Sequence, residues 1–189
     1  MEEKLKEIIA FGEMAHGDQR RKYCDDRYMV HPIRVMRTCQ KYSNDLSVLA
    51  AALLHDVLED TPVTNSEIET FLKTILTEDE VKKAIEHIVD LTDVYTKQAY
   101  PKMNRRARKA LEIERLSIIQ PDSQTIKYAD ILDNADEIVG SDPDFARVFL
   151  AEGRAILQKM NDGNPDLREI ALRTVEDSLE TARQFQNKK

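Results

Sequence analysis

The sequence predicts an all-α protein, and three observations carry that prediction. Apolar residues recur at helical spacing along most of the chain. Glycine and proline are scarce, 5 and 6 of 189 residues, which disfavours a fold built from many tight turns. Residues suited to helix N-caps stand just before the apolar runs. No segment reads as a convincing strand, an internal repeat or a low-complexity linker. The expectation is one domain over 1–189, a helical bundle of about nine helices.

The elements follow in order. Leu5, Ile8, Ile9 and Met14 give residues 2–16 a helical stripe. Pro32 fits the first turn of a second helix, which Ile33, Val35, Met36 and Cys39 continue. Asp45 can cap a helix over 46–60, whose "VLAAALL" is too apolar for a surface element and so belongs at the centre. Capping boxes at Thr64–Glu67 and Thr77–Glu80 start helices near 66–75 and 79–92. Asn104 opens a charged helix to about 119, and "PDSQTIKYADILDNADEIV" supplies one over about 122–139. "SDPDF" and "GNPDL" then precede helices running to about 160 and 186. Loops are short except 17–30 and 94–103, and long loops in compact domains tend to be functional.

Composition narrows the class. Hydrophobic residues make up 41% and charged residues 33%, as in a soluble globular protein. No run approaches the roughly 20 apolar residues of a membrane span. The N-terminus lacks a basic start and a cleavage-site pattern, so no secretory signal is expected. Cys24 and Cys39 read as reduced thiols of a cytoplasmic protein. The net charge of −7 argues against general nucleic-acid binding, which relies on a basic field. Basic residues nevertheless cluster in "RRK" at 20–22 and "RRARK" at 105–109. Such clusters are either solvated helix faces or contacts for a small polyanion.

The stretch "LLHDVLEDT" at 53–61 stands apart, because an apolar helix there acquires His55, Asp56, Glu59 and Asp60. Burying one unpaired carboxylate costs several kcal/mol. On a helix, His55 and Asp56 are about 100° apart and can converge on one point. An imidazole and a carboxylate meeting there make half of a divalent-metal site, with Glu59 and Asp60 one turn further on. Further ligands must come from elsewhere. Among the other histidines, His87 is expected on a wet face, and ligation points to His31, with His16 as the weaker candidate. Asp130 in "KYADILDN" lies on an apolar face with Asn134 four residues on, and a carboxylate there needs a cation nearby.

This pattern, "H…HD…D", resembles that of the HD-domain metal-dependent phosphohydrolases. It is most similar to the alarmone, (p)ppGpp, hydrolase branch: the hydrolase domain of RelA/SpoT-type enzymes and the stand-alone small alarmone hydrolases. The text that carries the resemblance is "AHGDQRRKYCDDRYMVHPIRV", "AALLHDVLEDTPVTNSEI", "IVDLTDV" and "IKYADILDN", spanning 15–134. It implies a metal, usually Mn²⁺, held by His31, His55, Asp56 and Asp130. Glu59 and Asp60 match the acids that activate or position the attacking water, and a held cation would lower that water's pKa toward neutrality. Arg21 and Lys22 match the pair that packs against the guanine base, and Asn134 matches an Asn of the substrate pocket. Arg105 and Arg108 are assigned to the distal phosphates on charge alone.

The chain also departs from the branch. A Gly and "PY" usually stand before "HP"; here the loop reads "DDRY", which keeps Tyr28. A basic residue often follows the "ADxxxN" segment; here Asp133, Asp136 and Glu137 occupy that stretch. With no room in these 189 residues for the family's synthetase domain, synthesis is not expected. The leading expectation is hydrolysis of the 3′-pyrophosphate of (p)ppGpp to GDP or GTP, with a nucleotide as the small-molecule partner. Two alternatives remain: a phosphatase acting on another nucleotide such as NADPH, and a non-catalytic nucleotide-binding module.

Overall fold

The computed structural model describes residues 1–22 and 25–186, and among them it contains ten α-helices and no strand. Tyr23 and Cys24 lie outside the described residues, so the expectation for Cys24 falls there. The helices gather into two compact units, Met1–Thr92 and the chain from Asp93 onward.

The first unit holds α1 (Glu2–His16), α2 (Val30–Cys39), α3 (Leu46–Leu54), α4 (Val57–Asp60), α5 (Asn65–Leu72) and α6 (Glu78–Leu91). Helix α3 is its centre, packed by α1, α2 and α6, and every residue from Val48 to Leu54 is fully buried. Each buried Val or Leu contributes about 1.5–3 kcal/mol, so this apolar run anchors the unit. The Asp45 carboxylate caps α3 by accepting from the Ser47 N–H at 2.8 Å. Both expected capping boxes are present, Thr64 with Glu67 and Thr77 with Glu80. Arg20 and Arg27 form an antiparallel bridge between α1 and α2 in the chain.

Two expectations need correction. The helix over 46–60 is not continuous: α3 stops at Leu54, and α4 restarts after Asp56. His55 and Asp56 keep right-handed dihedrals, but Asp56 has opened to ψ −9°. The His55 ring bonds the Ala52 carbonyl at 2.9 Å, the acceptor that an unbroken helix offers to the Asp56 N–H. The split also raises the helix count from nine to ten. His87, expected on a wet face, is buried. It stands three residues after buried Ala84 and four before buried Leu91, within the stripe that α6 turns inward.

The second unit holds α7 (Arg105–Leu116), α8 (Pro121–Ser141), α9 (Pro143–Lys159) and α10 (Pro165–Gln186), with α10 packed on both α8 and α9. Asn104, Asp142 and Asn164 cap α7, α9 and α10 through their side chains, as the sequence predicts. A polar layer at the start of α8 holds the turn before α10. Gln124 accepts from the Asp162 N–H and Thr125 accepts from the Asn164 N–H, both at 2.9 Å. Buried Glu112 accepts from the Val94 and Tyr95 N–H groups at 3.1 and 2.9 Å and so pins the start of the 94–103 loop. Among the described residues, no helix is long and apolar enough to cross a membrane.

Candidate metal centre

Helix α2 opens inside the unit, and its second residue, His31, is 1% exposed. The end of α3 delivers His55, 3% exposed, and the lapse between α3 and α4 presents Asp56 beside it. One ligand atom from each of these three residues lies within 4.8 Å of the others, the one such cluster among the described residues. His55 Nε2 is 3.2 Å and His31 Nε2 is 3.7 Å from the Asp56 carboxylate, on its Oδ1 and Oδ2 respectively. The two imidazoles meet edge to face, 5.3 Å between centroids. Donors each about 2.1 Å from one ion sit roughly 3–4 Å apart, the range of both contacts to Asp56.

The hydrogen bonding fits a cation. His55 Nδ1 donates to the Ala52 carbonyl, which leaves Nε2 as the basic nitrogen aimed at a carboxylate oxygen. Two lone-pair donors facing each other at that distance require a proton or a metal ion between them. A backbone carbonyl on the far nitrogen is also the usual way a metal-ligating histidine is oriented. The residues present therefore suit a divalent metal. His16 is not part of the cluster; its Nδ1 is tied to Gln19 Oε1 at 2.9 Å.

Near the three candidate ligands stand groups of unequal engagement. Asp60 is exposed at the end of α4, and its Oδ2 accepts from the Tyr28 hydroxyl at 2.5 Å. The same hydroxyl lies 2.8 Å from Asp56 Oδ2. Burial, followed by the charges of Asp56 and Asp60, holds the Tyr28 phenol well above its ordinary range, so it is a neutral donor. Glu59 is exposed on α4. The Arg21 guanidinium lies 5.8 Å from the centre of the Tyr28 ring, a cation–π distance, and Lys22 is exposed in the same loop.

In the second unit, Asp130 lies buried on α8 and its charge is compensated locally. Lys127 Nζ is 2.9 Å away and Asn134 Nδ2 donates to Oδ1 at 2.7 Å. Asp93 belongs to the same neighbourhood. Burial works against its charge, but Lys127 and Lys109 outweigh this and hold its carboxyl below the usual range. Arg105 makes a two-pronged pair with Glu152, 2.9 and 2.7 Å, and Arg108 donates to the Met103 carbonyl. Arg105, Arg106, Lys109, Arg147, Arg154 and Arg183 surround one groove of about 880 Å³ in which Glu152 is the acid.

Sequence reasoning assigned no role to Tyr28 or Lys127. Lys127 was legible as the residue three before Asp130, on the same helical face. The Tyr28 hydroxyl had no such signal, because the acids it meets lie across a loop and two helices.

Comparison with known proteins is consistent with this geometry. The family model for the HD domain matches residues 28–138. The human guanosine-3′,5′-bis(diphosphate) 3′-pyrophosphohydrolase MESH1 is 34% identical over 134 residues, 69% of this chain and 67% of that protein. A probable guanosine-3′,5′-bis(diphosphate) 3′-pyrophosphohydrolase of Mycoplasma pneumoniae is 26% identical over 71% of this chain but only 18% of its own length. In structure, the chain superposes on a metazoan orthologue of SpoT, described as hydrolysing ppGpp, with a TM-score of 0.76. The two are 24% identical, and the match covers 93% of this chain and 96% of that one.

Proposed function

Since the chain belongs to the HD domain family, we propose that it is a metal-dependent phosphohydrolase that removes the 3′-pyrophosphate of (p)ppGpp, leaving GDP or GTP. The carrying observation is the convergence of His31, His55 and Asp56 within 4.8 Å. The substrate class rests on the similarity to MESH1-type proteins over two thirds of the chain. The family match runs from the first unit into the second, which supports reading 1–189 as one working domain. Asp130 is kept as the fourth expected ligand, and Mn²⁺ as the expected metal.

A divalent cation bound by these residues supplies Lewis-acid polarisation of the phosphate and of the attacking water. The residues do the rest. Glu59 or Asp60 accepts the proton as the water oxygen bonds to the phosphorus attached to the ribose 3′-oxygen. The bond from that phosphorus to the 3′-oxygen breaks, the 3′-oxygen takes up the proton that the acid accepted, and the nucleoside with its 3′-hydroxyl and pyrophosphate separate. Arg21 and Lys22 take the guanine base, Arg21 by the stacking it already makes on an aromatic ring. Asn134 serves the substrate pocket. Arg105 and Arg108 are the candidates for distal phosphate charge, and the basic groove that Arg105 helps to line supports anion binding in that unit. The cytoplasm is kept as the expected location.

Turnover of a nucleotide panel with Mn²⁺, separating pyrophosphate from orthophosphate, tests the reading. Pyrophosphate and GDP from ppGpp are expected. Orthophosphate from NADPH would instead make the protein a nucleotide phosphatase, and tight binding without turnover would make it a binding module.

A further inference from the structure

We propose that Tyr28 is a positioning residue of this centre, its hydroxyl tying the metal-ligand carboxylate of Asp56 to the acid Asp60. The inference deepens the proposed function and rests on it for the reaction being positioned.

Asp60 closes a helix of only four residues and is exposed, so little in its own element fixes the direction of its carboxylate. The Tyr28 hydroxyl fixes it from outside, 2.5 Å from Asp60 Oδ2 and 2.8 Å from Asp56 Oδ2. Tyr28 is itself firmly placed. Its ring stacks on His16 at 4.3 Å between centroids, and the Arg21 guanidinium lies at 5.8 Å. Its N–H donates to the Gln19 carbonyl at 3.0 Å, and its carbonyl accepts from the His31 N–H at 3.1 Å. One residue thus connects the α1 exit, a ligand histidine, a ligand carboxylate and a candidate proton acceptor.

The charge arithmetic points the same way. One hydroxyl proton serves one carboxylate at a time, so two carboxylates crowding one phenol oxygen repel each other. A cation held by His31, His55 and Asp56 relieves that repulsion and lets both acids stay. The hydroxyl can then keep its place against both carboxylates, holding the Asp56 carboxylate in its orientation and aiming Asp60 without neutralising it. Position, not proton transfer, is what Tyr28 supplies.

Tyr28→Phe keeps the ring and its stacking on His16 and removes only the hydroxyl. Mn²⁺ titration calorimetry reads the Asp56 end without any turnover: the dissociation constant rises about tenfold, and an unchanged constant overturns the proposal. Turnover of ppGpp at saturating Mn²⁺ reads the Asp60 end. There kcat falls about 10- to 100-fold, while KM stays within about threefold because no substrate contact is lost. A change confined to KM overturns it. In an Asp60→Asn background, adding Tyr28→Phe costs less than about threefold more; losses that multiply fully show that Tyr28 does not act through Asp60. If the unmodified protein does not hydrolyse ppGpp, the proposed function fails, and the calorimetry still decides the role of Tyr28.

Discussion

His55 Nε2 faces Asp56 Oδ1 at 3.2 Å, so two neighbours in sequence converge on one point. That convergence depends on the lapse in the helix between α3 and α4, where the His55 ring takes the Ala52 carbonyl. Asp56 touches both histidines and is the hub of the cluster. Asp56→Ala should abolish Mn²⁺ binding in calorimetry with little loss of fold, since the Asp56 side chain is partly exposed and fills no core space. A variant that keeps its metal and its activity would remove Asp56 from the ligand set.

Glu59 stands on α4 and is exposed to solvent, whereas the two candidate ligand histidines are buried. Glu59→Gln keeps the size and removes the basicity. Turnover should fall about 10²- to 10⁴-fold, the contribution of a general base, while bound metal per protein stays the same. Rates equal to those of the unmodified protein would end its role as proton acceptor.

Arg21 presents its guanidinium to an aromatic ring and is half-buried. Stacking on a base changes little between ground and transition state, so Arg21→Ala should raise KM about tenfold and leave kcat within about twofold. Steady-state kinetics over a range of substrate concentration decides this, and a fall in kcat alone would contradict it.

Gly163 sits in the turn before α10 against the polar layer of α8. A Cβ there would lie 2.6 Å from Tyr128 Cε2 and 2.9 Å from the Thr125 backbone nitrogen, and the backbone cannot yield. Gly163→Ala should lower stability by about 1–3 kcal/mol, read as a lower Tm by circular dichroism. An unchanged Tm would mean that this turn repacks freely.

Stability should fall in acid. Burial raises the Asp93 carboxyl, but Lys127 and Lys109 outweigh it and leave it below the ordinary 3.8. The cap Glu80 is also held low, first by the Thr77 backbone N–H. With folded values below unfolded ones, this stability is complete above the unfolded pKa and is lost as pH falls through the folded values. Thermal melts should therefore be level from about pH 7 to about pH 5 and decline below about pH 4. Asp93→Asn should show the shallower decline, and an equally steep one would take Asp93 out of the account.

Much of this molecule was readable from local chemistry. The capping boxes at Thr64 and Thr77, the cap of Asn104 and the helical stripes depend on groups within a few residues, and the structure places them as expected. The burial of "VLAAALL" follows from composition alone. The pair His55–Asp56 was legible because ionisable groups in an apolar run demand a reason. Two helix-level expectations failed, for opposite reasons. The break after Leu54 arises from a side chain competing with its own backbone for the Ala52 carbonyl, and both outcomes satisfy the same apolar pattern. The burial of His87 lay within the period of its helix, but the neighbouring charges masked it.

Residue types and their order along the chain thus specified the helices, the apolar centre and the kinds of ligand, because those depend on short-range geometry and on hydrophobicity. Folding determined which atoms meet. It brought His31 to Asp56 and seated Tyr28 between Asp56 and Asp60. Distances of that kind come from packing whole elements against one another, and packing has no counterpart in the spacing of letters.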